Sequence, residues 1–227
     1  MTSSAPAPKV FRRSRKWLQE LVCNRSALLA DAIHVGCRGV RSHTIDWRSP
    51  RAPRYLEYRD RKALEALDLG RMGPALAAFW PARGPVWDAL GVGVGTEERF
   101  LVEAKAHIAE LASRPTSAQG RSLRQIRQRL DELKRSLRSG APADWSGSFY
   151  QYSNRLAYLH WFRGQRVPAF LVSIYFTDAP DVPEPANREQ WQGALRLLRS
   201  YMGLGRHRLK PFIIDLFIDA TTGRVAA

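Results

Sequence analysis

The chain has 227 residues, of which 44% are apolar and 25% charged, which excludes a disordered or fibrous protein and fits one domain with a substantial core. No apolar run approaches the roughly 18 residues of a membrane span, so no membrane partner is expected. Thirty-six Lys and Arg against 21 Asp and Glu give a net charge of +15, which points to a polyanion such as nucleic acid, with plain solubility as the alternative.

Residues 1–13 are rich in Ser, Ala and Pro and carry no acidic residue, so they are predicted to form a flexible basic N-terminus ahead of a single domain over 14–227. From Ser14, the residues Trp17, Leu18, Leu21, Leu28, Leu29 and Ile33 recur at mostly helical spacing. They predict an N-terminal helical extension interrupted near Cys23-Asn24-Arg25. Cys23 and Cys37 are the only cysteines, and their spacing matches neither a zinc site nor a disulfide framework. A reducing, cytoplasmic setting is expected.

Gly36 and Gly39 end the helical pattern, and His43–Trp47 is β-like before the turn at Pro50 and Pro53. Glu57–Leu69 reads as helix and Met72–Trp80 as a further turn or two, stopped by Pro81 and Pro85. Two strands are predicted next, Val86–Val92 and Arg99–Lys105, joined by a Gly-rich hairpin loop, with a short helix at His107–Ser113. Leu123, Ile126, Leu130, Leu133 and Leu137 mark an amphipathic helix over Arg121–Arg138, part of a basic helical insertion at about 119–140. An aromatic-rich helix at Ser148–Trp161, a fully apolar strand at Val167–Phe176, a helix at Asn187–Met202 and a last strand at Phe212–Asp219 complete the chain. Apolar strands alternating with helices predict an α/β (α+β) fold in three layers, αβα, around a central mixed sheet.

The chemistry concentrates in the hairpin. Glu103 and Lys105 are alternate residues of one strand and share a face. If Gly95-Thr96 are the central residues of a type II′ turn, paired positions total 191 and Asp88 falls opposite Glu103. Trp87, Ala89, Phe100, Val102 and Ala104 are then predicted to form one apolar face. The other carries Leu90, Val92 and Leu101 near the turn and Asp88, Glu103 and Lys105 at the far end. Two carboxylates opposed at a Cβ separation of about 5 Å repel unless a cation or a proton intervenes. A divalent ion such as Mg²⁺ or Mn²⁺ suits hard oxygen donors. A buried Lys–Glu–Asp ion network without catalytic role is the other reading of the same residues.

Gly84-Pro85-Val86-Trp87-Asp88, fourteen intervening residues and Glu103-Ala104-Lys105 together resemble the signature of the PD-(D/E)xK, or restriction-endonuclease-like, nuclease superfamily. The Pro stands two places further from the Asp than the motif name has it. WDALG, LVEAKAH and YQYSNRLA also resemble an uncharacterised bacterial branch of that superfamily. The resemblance implies an αβββαβ core in which Asp88 and Glu103 bind Mg²⁺ (or Mn²⁺), the Ala104 carbonyl adds a ligand, and Lys105 assists phosphodiester hydrolysis. It also implies a further acidic residue before the hairpin, for which Glu57 and Glu65 are the candidates, each otherwise a solvated helix charge.

His107, two places after Lys105, is placed either to meet a phosphate or to cap a helix. Gln151 and Arg155 are candidate site neighbours in a helix whose aromatic and hydrogen-bonding residues suit either single-stranded nucleic acid or the core. The expected function is a metal-dependent nuclease acting on nucleic acid, DNA ahead of RNA. A non-catalytic nucleic-acid-binding or partner-binding protein of the same fold is the alternative. An enzyme that cuts both strands of a duplex is commonly a homodimer, although no interface is legible in the sequence.

Overall fold

The structure, a computed structural model, describes residues 13–226, so all but the last residue of the predicted flexible N-terminus lies outside the described residues. Twelve regular elements follow in chain order. They are α1 (Ser14–Asn24), α2 (Ser26–Gly36), β1 (Ile45–Ser49), α3 (Asp60–Ala66), α4 (Gly73–Phe79), β2 (Ala89–Gly93), β3 (Arg99–Lys105), α5 (Gly120–Leu137), α6 (Tyr150–Gly164), β4 (Ala169–Thr177), α7 (Arg188–Tyr201) and β5 (Ile213–Asp219). The five strands form one mixed sheet in the order β1-β2-β3-β4-β5. The first three pair antiparallel and the last three parallel. Parallel neighbours need a crossover, which α5 and α6 supply between β3 and β4 and α7 supplies between β4 and β5.

Each strand face has its own cover. Ala89, Phe100, Val102, Ala104, Phe170, Val172, Ile174 and Ile214 pack under Leu18, Leu21, Leu29 and Ile33 of α1 and α2. Leu90, Leu101, Leu171, Tyr175 and Ile213 pack under Leu64, Leu76, Ile126, Leu133, Leu156, Leu159, Trp191 and Leu195 of α3 to α7. The fold is therefore α/β in three layers with a central mixed sheet, as the pattern of apolar strands implies. The helical segment ahead of the sheet is half of its cover, and it breaks where predicted, at Arg25 (φ −132°, ψ 33°).

Local readings differ at several points. Glu57–Leu69 is not one helix, because Tyr58 pairs with Trp87 in an isolated bridge and α3 begins only at Asp60. The strand predicted from Val86 begins at Ala89. The helix expected at His107–Ser113 is a single 3₁₀ turn, Ile108–Leu111.

Paired positions of β2 and β3 keep the predicted total, Ala89 facing Val102 and Leu90 facing Leu101. The turn itself sits one residue earlier than expected. The Thr96 N–H reaches the Gly93 carbonyl at 3.3 Å, and Gly95 stands third in the turn with φ +70°, a conformation that favours glycine. The Gly93 N–H donates to the Glu98 carbonyl at 2.9 Å, so a four-residue loop preserves the register of a two-residue one. Glu98 fixes this loop from inside. Its buried carboxylate accepts the N–H groups of Arg41 and Ser42, both at 2.9 Å, and the Ser42 hydroxyl.

Candidate active site

The candidate residues gather where β2 and β3 run out under the first turns of α6. Asp88 lies one residue ahead of β2. Its N–H donates to the Val102 carbonyl at 3.1 Å, and its Oδ2 accepts the Ala104 N–H at 2.8 Å. In an unbroken ladder of this register the Ala104 N–H would bond the carbonyl of residue 87. The Asp88 carboxyl takes that position, so a side-chain oxygen stands where the ladder would have had a backbone carbonyl. The alternation of faces breaks here as well. Trp87, expected beside Ala89, packs instead in the opposite core, with its ring 4.9 Å from the Arg155 guanidinium and edge-on to Tyr158.

The approach of the chain to Asp88 is fixed by Asp60 and Gly84. Asp60 accepts the N–H groups of Arg83 at 3.0 Å and Gly84 at 2.9 Å. Gly84 runs against α6 so closely that a Cβ there would stand 2.0 Å from the Tyr158 hydroxyl oxygen.

Glu103 and Lys105 project from β3 on one face, as their spacing requires, and both are buried. Lys105 Nζ donates to Glu103 Oε1 at 2.9 Å and to Gln151 Oε1 at 2.7 Å. Arg155 donates to Glu103 Oε2 twice, from Nε at 2.9 Å and from Nη2 at 2.6 Å. Its Nη2 also serves the Val86 carbonyl at 2.7 Å, and Nη1 serves Asn154 Oδ1 at 2.8 Å. Gln151 and Arg155 are one helical turn apart on α6, which brings both to the same spot.

Glu57 joins these residues electrostatically. It is paired with Arg15 of α1, and its field acts on both Asp88 and Glu103. Glu65 does not belong here, because it faces solvent in an i,i+4 pair with Arg61 at 2.8 Å. His107 caps the 3₁₀ turn at Ile108–Leu111. Its Nδ1 accepts the Ala109 N–H at 3.0 Å, and Glu110 returns a bond to the His107 N–H, also at 3.0 Å. Asp215, on β5, is bound by Arg199 and Lys210 and lies outside the group.

The charges in this cluster are unequally compensated. Burial alone would raise the Glu103 pKa, but the Arg155 guanidinium and the Lys105 ammonium outweigh it and hold that carboxylate below its ordinary value. Burial lifts Glu57 more than Arg15 lowers it. Among the described residues, the direct hydrogen-bond partner of the Asp88 carboxyl is the Ala104 amide. Although the residue keeps some solvent exposure, the protein around its carboxyl and then the Glu103 charge push its pKa up to about 8.

Beneath these groups, Glu103, Lys105, Gln151, Arg155, Ser173 and Tyr175 surround a cavity of about 20 Å³, room for roughly one water. A larger groove of about 660 Å³ runs along α3 and α4 from Asp60 to Ala82 and contains none of the candidate site residues.

Among the described residues no group of three or more His, Cys, Asp or Glu is arranged to hold a metal ion. No described helix is long and apolar enough to cross a membrane. Arg15 is the residue of this cluster that sequence reasoning missed, since nothing in a basic helical start marks a partner for Glu57. Comparison with known proteins returns no matching family model, no matching curated protein and no matching solved structure.

Proposed function

We propose that this chain is a divalent-metal-dependent nuclease of the restriction-endonuclease-like type, with its active site at Asp88, Glu103 and Lys105. The observation that carries this reading is the Asp88 carboxyl just ahead of β2, whose pKa burial and the Glu103 charge raise, beside a Glu103–Lys105 pair on β3. An αβββ arrangement followed by a helix and a parallel strand supports it, because that is the core the motif implies.

The donor chemistry fits Mg²⁺ or Mn²⁺. Mg²⁺ is commonly held by one or two carboxylates, with water and substrate phosphate oxygens completing its shell, so a three-ligand protein cage is not required. Asp88 and Glu103 would hold the ion, with the Ala104 carbonyl as a further oxygen donor and Glu57 adding negative field. Such an ion supplies Lewis acidity toward the scissile phosphate and lowers the pKa of attacking water.

The chain's own groups perform the rest. Arg155 fixes the Glu103 carboxylate and, through the Val86 carbonyl, the approach to Asp88. Gln151 and Glu103 hold the Lys105 ammonium in place, where it neutralises charge developing on phosphate oxygens.

The test is cleavage of single- and double-stranded DNA and RNA with Mg²⁺ or Mn²⁺. Asp88→Ala and Lys105→Ala are each expected to lower the rate by roughly 10²-fold or more, the scale for removing one transition-state contact, while binding survives. Cleavage by both variants at the parent rate ends this assignment.

One observation favours the non-catalytic alternative: both Glu103 oxygens are already taken by Lys105 and Arg155. Calorimetry separates the two readings. Mn²⁺ binding that Asp88→Ala abolishes supports the nuclease, and nucleic-acid binding without any Mn²⁺ binding supports the alternative.

A further inference from the structure

At the end of α5, Ser136, Leu137 and Arg138 face Arg206, His207 and Arg208 across a cavity of about 470 Å³. The second segment leads into β5, whose first residue pairs with Leu171 in the row of Leu101. The cavity therefore lies at the opposite end of the sheet from Lys105, on the same helical side as the candidate active site.

Its chemistry is one-sided. Another cleft of the molecule balances Arg71, Arg99 and Arg166 with Asp68 and Glu97, whereas no acidic residue lines this one among the described residues. Arg138, Arg206 and Arg208, drawn from two segments, give the cavity three positive charges, which attract an anion. Arg208 itself rests against the His160 ring at 3.2 Å.

Ser136 Oγ and His207 Nδ1 find no hydrogen-bond partner among the described residues, but both atoms are closed off from the cavity as well as from solvent. The charge that lines the cavity is therefore that of its arginines. Burial, followed by the charges of Lys210 and Arg199, holds the His207 pKa below its ordinary value, which leaves a neutral ring near pH 7.

We propose that this cavity is a phosphate-binding site separate from the candidate active site, in which Arg138, Arg206 and Arg208 grip the phosphates of a nucleic-acid backbone. Guanidinium groups match phosphate oxygens with two parallel donors, which is why arginine suits this task better than lysine. The site does not depend on the nuclease reading, because a non-catalytic nucleic-acid-binding chain would use it equally.

The experiment measures binding of a labelled DNA duplex by anisotropy over a salt series, in EDTA so that no cleavage contributes. The full chain is compared with a variant carrying Arg138→Ala, Arg206→Ala and Arg208→Ala, and with its Lys counterpart. Each duplex phosphate contact contributes about 0.9 to the slope of log affinity against log salt, so the Ala variant is expected to lose about 2 to 3 from that slope. The Lys variant is expected to keep most of it, which separates lost contacts from lost folding. An unchanged slope in the Ala variant overturns the proposal. So does binding of inorganic pyrophosphate that needs these arginines while DNA binding does not, since the site would then serve a free phosphate compound.

Discussion

Asp88 and Glu103 are neighbouring carboxyl groups, the first partly buried and the second buried, and they are managed in opposite ways. Glu103 is held by two cations, one of which also carries backbone. Arg155→Ala would leave the Val86 carbonyl without its donor and Glu103 with Lys105 alone, and breaking a buried pair in this way costs about 3 to 5 kcal/mol. Arg155→Lys is expected to recover only part of that, because one ammonium cannot serve Glu103 and Val86 with the fixed fork of a guanidinium. Urea unfolding of the two variants measures both effects, and equal stability of Arg155→Lys and the parent would refute the bridging role. Asp88 predicts a pH effect of definite sign. An acid whose pKa rises on folding from an ordinary 3.8 to about 8 contributes stability below the lower value and loses it as pH climbs through the higher one. Metal-free protein should therefore lose stability between about pH 4 and about pH 8, and Asp88→Asn should remove that loss. Mg²⁺ should raise the melting temperature of the parent near pH 8 but not that of Asp88→Asn. Identical pH profiles for the two proteins would show that Asp88 carries no such strain.

At the scale of elements, much of the site was legible because strand geometry is periodic. Glu103 and Lys105 share a face whatever the rest of the chain does, and the hairpin register followed from the position of the Gly-rich loop. The details at the ladder's end were not legible. Trp87 crosses to the other core and Asp88 bonds the Ala104 amide because Tyr58 captures the Trp87 N–H at 2.9 Å, a partner about thirty residues away that no local pattern announces. The same capture shortens α3 and leaves Glu57 outside a helix, where it pairs with Arg15. Glu65, by contrast, remained in the helix and on the surface. Gly84 tests how much depends on this approach. The Cβ at this position would meet the Tyr158 hydroxyl at 2.0 Å and Asp60 Oδ1 at 2.9 Å, so Gly84→Ala must push the segment around Gly84 away from α6. Overpacking of this kind costs about 1 to 3 kcal/mol. Activity should fall further than stability explains, since the displaced segment leads directly to Asp88. Activity that merely tracks the folded fraction would show that the loop is structural only.

For the whole molecule, the three layers decide which parts can be removed. The sequence presents residues before Ile45 as an extension, but α1 and α2 cover one entire face of the sheet. Without them Phe100, Val102, Phe170, Val172, Ile174 and Ile214 would meet water. Full burial of such a side chain contributes roughly 1.5 to 3 kcal/mol. Six of them together match or exceed the roughly 5 to 15 kcal/mol by which domains of this kind are stable. Deleting residues 1–36 is therefore expected to abolish the cooperative thermal transition in circular dichroism and to yield aggregating material. Arg15→Ala in the full chain should instead retain a cooperative transition, because it removes one partly exposed partner of Glu57 and leaves the apolar cover in place. If the truncated chain melted cooperatively near the temperature of the parent, the helical pair would be an appendage after all. The sheet would then have to cover that face by some arrangement other than the one described.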